Sequence, residues 1–310
     1  MCLERTLLIV LAGFSFCCQA QSPTRAYRQE VSFALDNDVI LFIDRYYSAG
    51  HHFSYRTLLP SKSSTARNQH LLSVNLGNAI FTSRKIRFAN TMNMDRPYAG
   101  YYYGALSISR LTSRAVQSWD AEVGVVGEQT GISQLHTWWH EKTGFQEPRG
   151  WRWQIANEVV FNLNYRFQKA YLLAPHLDVV TSSTVSAGTA SNKINQQVTF
   201  RFARFRPLSQ SVFTNSTLAY TGNSTHTEAF FFIGGGADYV ISNIFLEGSL
   251  FSNNPSQFTV DAATWVFRGQ AGFMYSQKRN SFQVVMNGLT REMQRGTAHG
   301  YMRLAFARQL

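Results

Sequence analysis

Long runs of period-two alternation constrain this chain more than any other feature. Val31, Phe33 and Leu35 alternate with Ser32 and Ala34, and Leu72, Val74 and Leu76 with Ser73 and Asn75. Leu106 and Ile108 interleave with Ser107 and Ser109, and Trp119, Ala121, Val123 and Val125 with Asp120, Glu122 and Gly124. Phe161, Leu163, Tyr165 and Phe167 take turns with Asn162, Asn164, Arg166 and Gln168. Successive side chains of a strand point to opposite faces, so each run has one apolar and one polar face. A soluble sandwich would also alternate, with its polar set outside. Length separates the two cases: runs of roughly 10 residues suit a tilted bilayer crossing, whereas globular strands average about 5–6.

Strands are expected near 27–37, 46–59, 68–80, 98–111, 116–127, 153–169, 171–188, 193–206, 227–241, 262–277, 281–291 and 299–308. That is about twelve, an even number as closed bacterial barrels require. The fold class is therefore all-β: a transmembrane up-and-down antiparallel β-barrel, one domain over 21–310, with a short helix in an outer loop. The helix is expected from Ile132 to Thr143, stopped at Gly144 with Pro148 beyond. Strand-end aromatics (Tyr46, Tyr47, Tyr98, Tyr101, Trp151, Trp153) are expected to form an interfacial girdle. The stretch 207–226 fits neither strand nor helix.

Composition agrees with a barrel. Charged residues are 15 % and aromatics 14 % of the chain, and no stretch has the 18 uninterrupted apolar residues of a membrane-crossing helix. A basic start (Arg5), an apolar run from Leu7 to Phe16 and Cys18-Gln19-Ala20 read as a signal peptide over 1–20, cleaved after Ala20 for export to the outer membrane. Cys2, Cys17 and Cys18 all lie in this segment, so the remainder has no disulfide, thiolate nucleophile or cysteine-based zinc site. The net charge of +11 comes mostly from arginine. Guanidinium groups bind phosphate in a bidentate way, and for an exported protein that points to lipopolysaccharide. No nucleic-acid motif is present and no protein partner is implied. A basic surface with no specific partner would give the same charge.

With both termini in the periplasm, connectors from odd to even strands all lie at the outer end. The first, near 37–46, carries Asp36-Asn37-Asp38 and then Asp44-Arg45-Tyr46-Tyr47-Ser48-Ala49-Gly50. Carboxylate and amide oxygens this close suit a hard cation such as calcium, and equally an ordinary hydrophilic turn. The second, near 81–98, carries Arg84, Lys85 and Arg87, then Asp95-Arg96-Pro97-Tyr98-Ala99-Gly100. Those cations suit phosphate on a lipid headgroup, or a solvated loop. The third, near 127–152, holds His136 and His140, four apart and so on one helix face. Histidines at that spacing can bind zinc, but Thr137 stands where a metalloprotease has glutamate. A lone histidine is more often structural than catalytic.

At these residues the sequence resembles the outer-membrane lipid A 3′-O-deacylases. The marks are Asn37-Asp38, Asp44 to Gly50, Asp95 to Gly100, Gly127 with Gly131 and His140, and Gly150-Trp151 with Gln154. They are strongest from Ser32 to Glu158, and it is their order and spacing together that are specific. The resemblance implies a twelve-stranded barrel that removes the 3′-linked acyloxyacyl chain of lipid A with calcium. It implies His140 as general base on water, Asp38 as a calcium ligand and Asn37 near the oxyanion. Ser48 stands where the family often has threonine, and keeps the hydroxyl. His136 replaces the usual glutamine one turn before the base, and Lys85 is the nearest counterpart of a family lysine, with Arg84 and Arg87 as substitutes. With His136 these three cations are the expected substrate contacts. Gln309-Leu310 ends the chain where a terminal aromatic is usual. A non-enzymatic barrel, or another lipid esterase or acyltransferase, is the alternative.

Overall fold

The computed structural model describes residues 27–38, 45–60, 68–220, 227–249 and 255–310. The expected signal peptide, Asp44 and most of the 60–67 turn lie outside the described residues. The strands are β1 (Gln29–Asn37), β2 (Tyr46–Leu58), β3 (Asn68–Thr82), β4 (Ala99–Thr112), β5 (Ala115–Val126) and β6 (Glu158–Ala174). They continue as β7 (Leu177–Gly188), β8 (Ser191–Arg204), β9 (Glu228–Asn243), β10 (Trp265–Gln277), β11 (Asn280–Leu289) and β12 (His299–Gln309). Each pairs antiparallel with its neighbours in sequence, and β1 closes the barrel on β12 with Phe33 opposite Phe306 and Asp36 opposite Arg303. Among the described residues two α-helices accompany the strands: α1 (Ile132–Thr143), with the expected bounds, and α2 (Ile244–Glu247), which the sequence reading did not contain.

The alternation sorts as a membrane barrel requires. Val31, Phe33, Phe53, Leu76, Leu106, Val123, Phe161 and Leu163 point outward and are exposed, Leu163 to 67 %. In water so large an apolar surface would be costly; against lipid it is the matching face. Inward positions are polar and paired. The Arg303 guanidinium donates twice to Asp36, at 2.6 Å each. Arg56 donates to Glu30 at 2.8 Å, and Arg201 to Asp178 at 2.9 and 2.6 Å. Buried ions persist only when compensated in this way.

Of the stretch 207–226, unreadable by period, the described residues 207–220 close the inner end of the barrel. They form three short 3-10 turns, at Leu208–Gln210, Val212–Thr214 and Thr217–Ala219. Leu208, Leu218 and Ala219 pack on Leu71, Leu111, Val116 and Val180 from four strands. Thr217 donates to Glu30 in β1 at 2.6 Å, Ser211 to Glu228 in β9 at 2.6 Å, and Gln283 in β11 to Asn215 at 2.9 Å. The segment thus ties strands around much of the circumference across the lumen. Beyond it lies a polar cavity of about 570 Å³, lined among others by His52, Asp120, Glu122, Lys193 and Arg268.

The strand-end aromatics do not form the expected girdle. Tyr46, Tyr98, Tyr101 and Trp151 are buried, and Tyr47 and Trp153 are half-buried. Tyr47 donates to Asp36 at 2.8 Å, Tyr101 to Glu122 at 2.6 Å, and the Trp153 indole N–H to the Ala89 carbonyl at 2.8 Å. These three polar tips find acceptors within the rim, which draws their rings inward, whereas Trp151 is held by packing alone.

Candidate active site on the outer wall

Four laterally paired residues make the floor of the site. Asn37 of β1 pairs with Ala49 of β2, Ala49 with Ile80 of β3, and Ile80 with Gly100 of β4. Paired residues share a face of a sheet, and Gly100 is two residues before the exposed Tyr102, so the whole row faces outward. Yet Ile80 and Gly100 are buried, because the third connector covers them. A Cβ on Gly100 would stand 2.7 Å from both the Ile132 Cβ and the Thr130 hydroxyl, closer than carbon packing allows. Only glycine lets the start of α1 lie against the strand here. Ile80, Met94, Tyr98, Ile132 and Trp151 form one cluster with Ala49, Phe88 and Trp153 at its margin, locking the second and third connectors to one rim beside β2 and β3. The sequence placed the site at the mouth of the cylinder; the register moves it to the outer face of the wall.

Helix α1 presents Ile132, His136 and His140 as a single buried stripe, as positions four apart dictate. Gly144, with φ of 73°, caps the C-terminus, and its N–H and that of Phe145 both turn back to the His140 carbonyl. The reversal delivers the Gln146 carbonyl to 2.6 Å from His140 Nδ1. A carbonyl only accepts, so Nδ1 carries the proton and Nε2 keeps its lone pair. His136 sits edge-on to His140, with centroids 4.4 Å apart, and edge-on to Trp151 at 5.6 Å. Burial, with a smaller contribution from His140, pushes the His136 imidazole down to about 3, so it is neutral at ordinary pH. It is only 6 % exposed and lies behind His140.

The other end of the row holds Asn37, Asp38 and Ser48. The Asp38 N–H donates to the Ser48 carbonyl at 3.2 Å, and the Arg45 N–H donates to the Asp38 carboxylate at 2.6 Å. Asp38 is fully buried. Ser48 sits in the bulge that shifts the β2–β3 register between Tyr47 and Ala49, its hydroxyl 2.8 Å from that of Thr82. Tyr46, at φ of 66°, is held in the left-handed region by its hydroxyl, which donates to Asp95 at 2.7 Å and accepts from the Thr297 N–H at 3.0 Å. Asp95 also accepts from the Ser83 hydroxyl and the Arg84 N–H, which fixes the second connector.

Arg84, Lys85 and Arg87 are exposed on that connector, with Lys85 and Arg87 both about 5.4 Å from the Phe88 ring. Arg96, beside Asp95, is instead fully buried: it donates to Glu292 at 2.9 Å and lies 4.5 Å over Phe81. Burial alone would raise the Glu292 carboxyl, but Arg96, His299 and Arg268 outweigh it and bring the group down to about 2. The sequence reading did not separate Arg96 from the exposed cations, nor anticipate Glu292. Among the described residues no group of three His, Cys, Asp or Glu side chains forms a metal cluster. The buried Asp38 carboxylate nevertheless offers a hard oxygen donor of the kind that calcium takes.

A family model described as "Outer membrane protein LpxR" matches residues 7–310. Among solved structures, LpxR from Salmonella typhimurium matches with a TM-score of 0.72 at 16 % identity, covering 91 % of this chain and 100 % of that one. The β-domain of the Bordetella autotransporter Brka matches with a TM-score of 0.50 at 6 % identity, covering 92 % and 100 %; both likenesses concern the barrel fold. A search of curated proteins finds no match. With the family model spanning nearly the whole chain, this protein belongs to the LpxR family of outer-membrane lipid A 3′-O-deacylases.

Proposed function

We propose that the chain is a calcium-dependent hydrolase that releases the 3′-linked acyloxyacyl chain of lipid A in the outer leaflet. Family membership supports an outer-membrane lipid A deacylase. The observation that carries the mechanism is the tautomer of His140: with Nδ1–H committed to the Gln146 carbonyl, Nε2 is the nitrogen able to take a proton from water. The dimensions agree. Two helical turns, about 12 Å, separate Ile132 from His140, and three strand spacings, about 14 Å, separate Gly100 from Asn37. A helix seated at Gly100 is thus long enough to bring His140 toward Asn37 and Asp38.

In the proposed reaction Nε2 accepts a water proton as the water oxygen attacks the ester carbonyl carbon. The tetrahedral oxyanion forms beside Asn37 and Ser48, whose amide and hydroxyl are donors of the kind such sites use. The ester C–O bond then breaks, and the imidazolium returns the proton to the departing 3′-oxygen. The products are a free carboxylic acid and a 3′-hydroxyl. Asp38 would hold calcium, which when bound supplies positive charge for the developing oxyanion. Arg84, Lys85 and Arg87 are exposed and would supply cations for headgroup phosphates. A pore is disfavoured by the segment closing the inner end. Mass spectrometry of lipid A from cells producing the protein tests the reading. Loss of one acyloxyacyl group is expected; a gained chain would mean acyl transfer, and lysophospholipid would mean a phospholipase.

A further inference from the structure

Helix α1 has a third face that the chemistry does not use. Its buried stripe is Ile132, His136 and His140. At 100° per residue, Gln134, Thr137 and Glu141 fall on one flank of that stripe, a polar one. Leu135, Trp138 and Trp139 fall on the other, and all three are exposed, to 43 %, 50 % and 49 %. Lys142 lies among them, with a stem able to carry its ammonium upward to water. Two exposed tryptophans in a 12-residue helix are unexplained by a helix in water.

The surroundings name the occupant. The helix packs on the outward side of the wall, with Ile132 against Gly100. Directly below on β4, β5 and β6 the lipid-facing band continues through the exposed Tyr102, Val123 and Val159. The apolar flank therefore extends a surface already in contact with lipid. Tryptophan, with an apolar body and one N–H donor, favours the level where acyl chains meet headgroups. A helix with one apolar flank, one polar flank and a snorkelling lysine lies in that plane.

We propose that the Leu135–Trp138–Trp139 flank of α1 is inserted at the acyl–headgroup boundary of the membrane around the barrel, as an interfacial anchor setting the depth of the third connector. The inference does not depend on the role of His140.

No cysteine follows Cys18, so single labels are clean once Cys2, Cys17 and Cys18 are replaced by alanine. Nitroxides on Leu135→Cys, Trp138→Cys, Trp139→Cys and, as control, Glu141→Cys would be compared in phosphatidylethanolamine–phosphatidylglycerol vesicles. The readout is collision with oxygen, which concentrates in lipid, against a water-soluble nickel chelate. The expected ratio is several-fold higher at the first three sites than at Glu141. A ratio at Trp138 and Trp139 no higher than at Glu141 overturns the proposal, whether the helix stands in water, packs over the lumen or is covered by a second copy. If labelling prevents folding, brominated lipid is used on the otherwise native protein. Quenching must then fall by a large fraction in the Trp138→Phe/Trp139→Phe variant, and unchanged quenching overturns the proposal.

Discussion

His140 Nδ1 stands 2.6 Å from the backbone carbonyl of Gln146, held there because Gly144 turns the chain back over the end of its own helix. One imidazole nitrogen is thereby spent on orientation and the other left for chemistry. His140→Ala removes the proposed base, and a loss of about 10²–10⁴-fold in hydrolysis is expected. The barrel should still form, since His140 lies on the third connector and not in a strand; retention of the heat-modifiable gel shift would verify folding. His140→Gln, which restores a polar group but no base, should not recover activity.

Asp38→Asn keeps shape and removes charge. Activity should fall about 10²-fold or more, by analogy with loss of an oxyanion contact, and calcium should no longer stimulate what remains. The check is deacylation rate against calcium concentration, buffered with chelator, for both proteins. An unchanged calcium dependence in Asp38→Asn would remove Asp38 from the proposed site.

His136 predicts an acid weakness. Its folded value of about 3 lies below the ordinary 6.5. Above pH 6.5 folded and unfolded chains both hold it neutral, and its burial carries no penalty from protonation. As pH falls through 6.5 the unfolded chain gains a proton that the folded one refuses. Stability is therefore lost, by up to about 1.4 kcal/mol per pH unit, until the pH nears 3. The rate of irreversible inactivation between pH 6.5 and 4 should rise more steeply in the native protein than in His136→Gln.

Gly100 tests the seating of the helix without touching the chemistry. Gly100→Val drives a side chain into Ile132 and Thr130 and displaces α1 from the wall. A shift of about 1 Å can cost 10²-fold in rate, so kcat should drop by about that factor while barrel formation is unaffected. Gly104→Val is the control: a Cβ there meets its nearest neighbour, the end of the Leu76 side chain, at 3.4 Å and faces lipid.

Arg96 and Glu292 should behave as a unit. Arg96→Met removes the one guanidinium bonded to this largely buried carboxylate, leaving His299 at 3.6 Å and the weaker field of Arg268. Breaking such a pair from one side costs about 3–5 kcal/mol. Arg96→Met/Glu292→Gln should recover much of that loss, as measured by urea unfolding of the folded barrel in detergent.

The barrel was legible because its rule is local. Lipid outside and polar groups inside force a period of two on every strand, and strand ends such as Asn37 and Gly188 follow from where that period stops. The helix was legible from Gly144 and the spacing of Ile132, His136 and His140. What period cannot reveal is a partner far away in sequence. The segment 207–220 obeys no repeat because its apolar residues meet the inward ends of four strands, not a regular neighbour. The aromatics at the rim look like girdle residues until Asp36, Glu122 and the Ala89 carbonyl are seen to claim their donors. Gln146 was hidden for another reason: its contribution is a backbone oxygen, which any residue would supply.

The most direct measurement is the mass spectrum of purified lipid A after incubation with the purified barrel and calcium, beside the same reaction with His140→Ala. The account predicts a product lighter by one acyloxyacyl group, together with the released fatty acid, in the first reaction and starting material alone in the second. Equal product from both proteins would contradict the role given to His140. Intact lipid A from the native protein would contradict the activity itself.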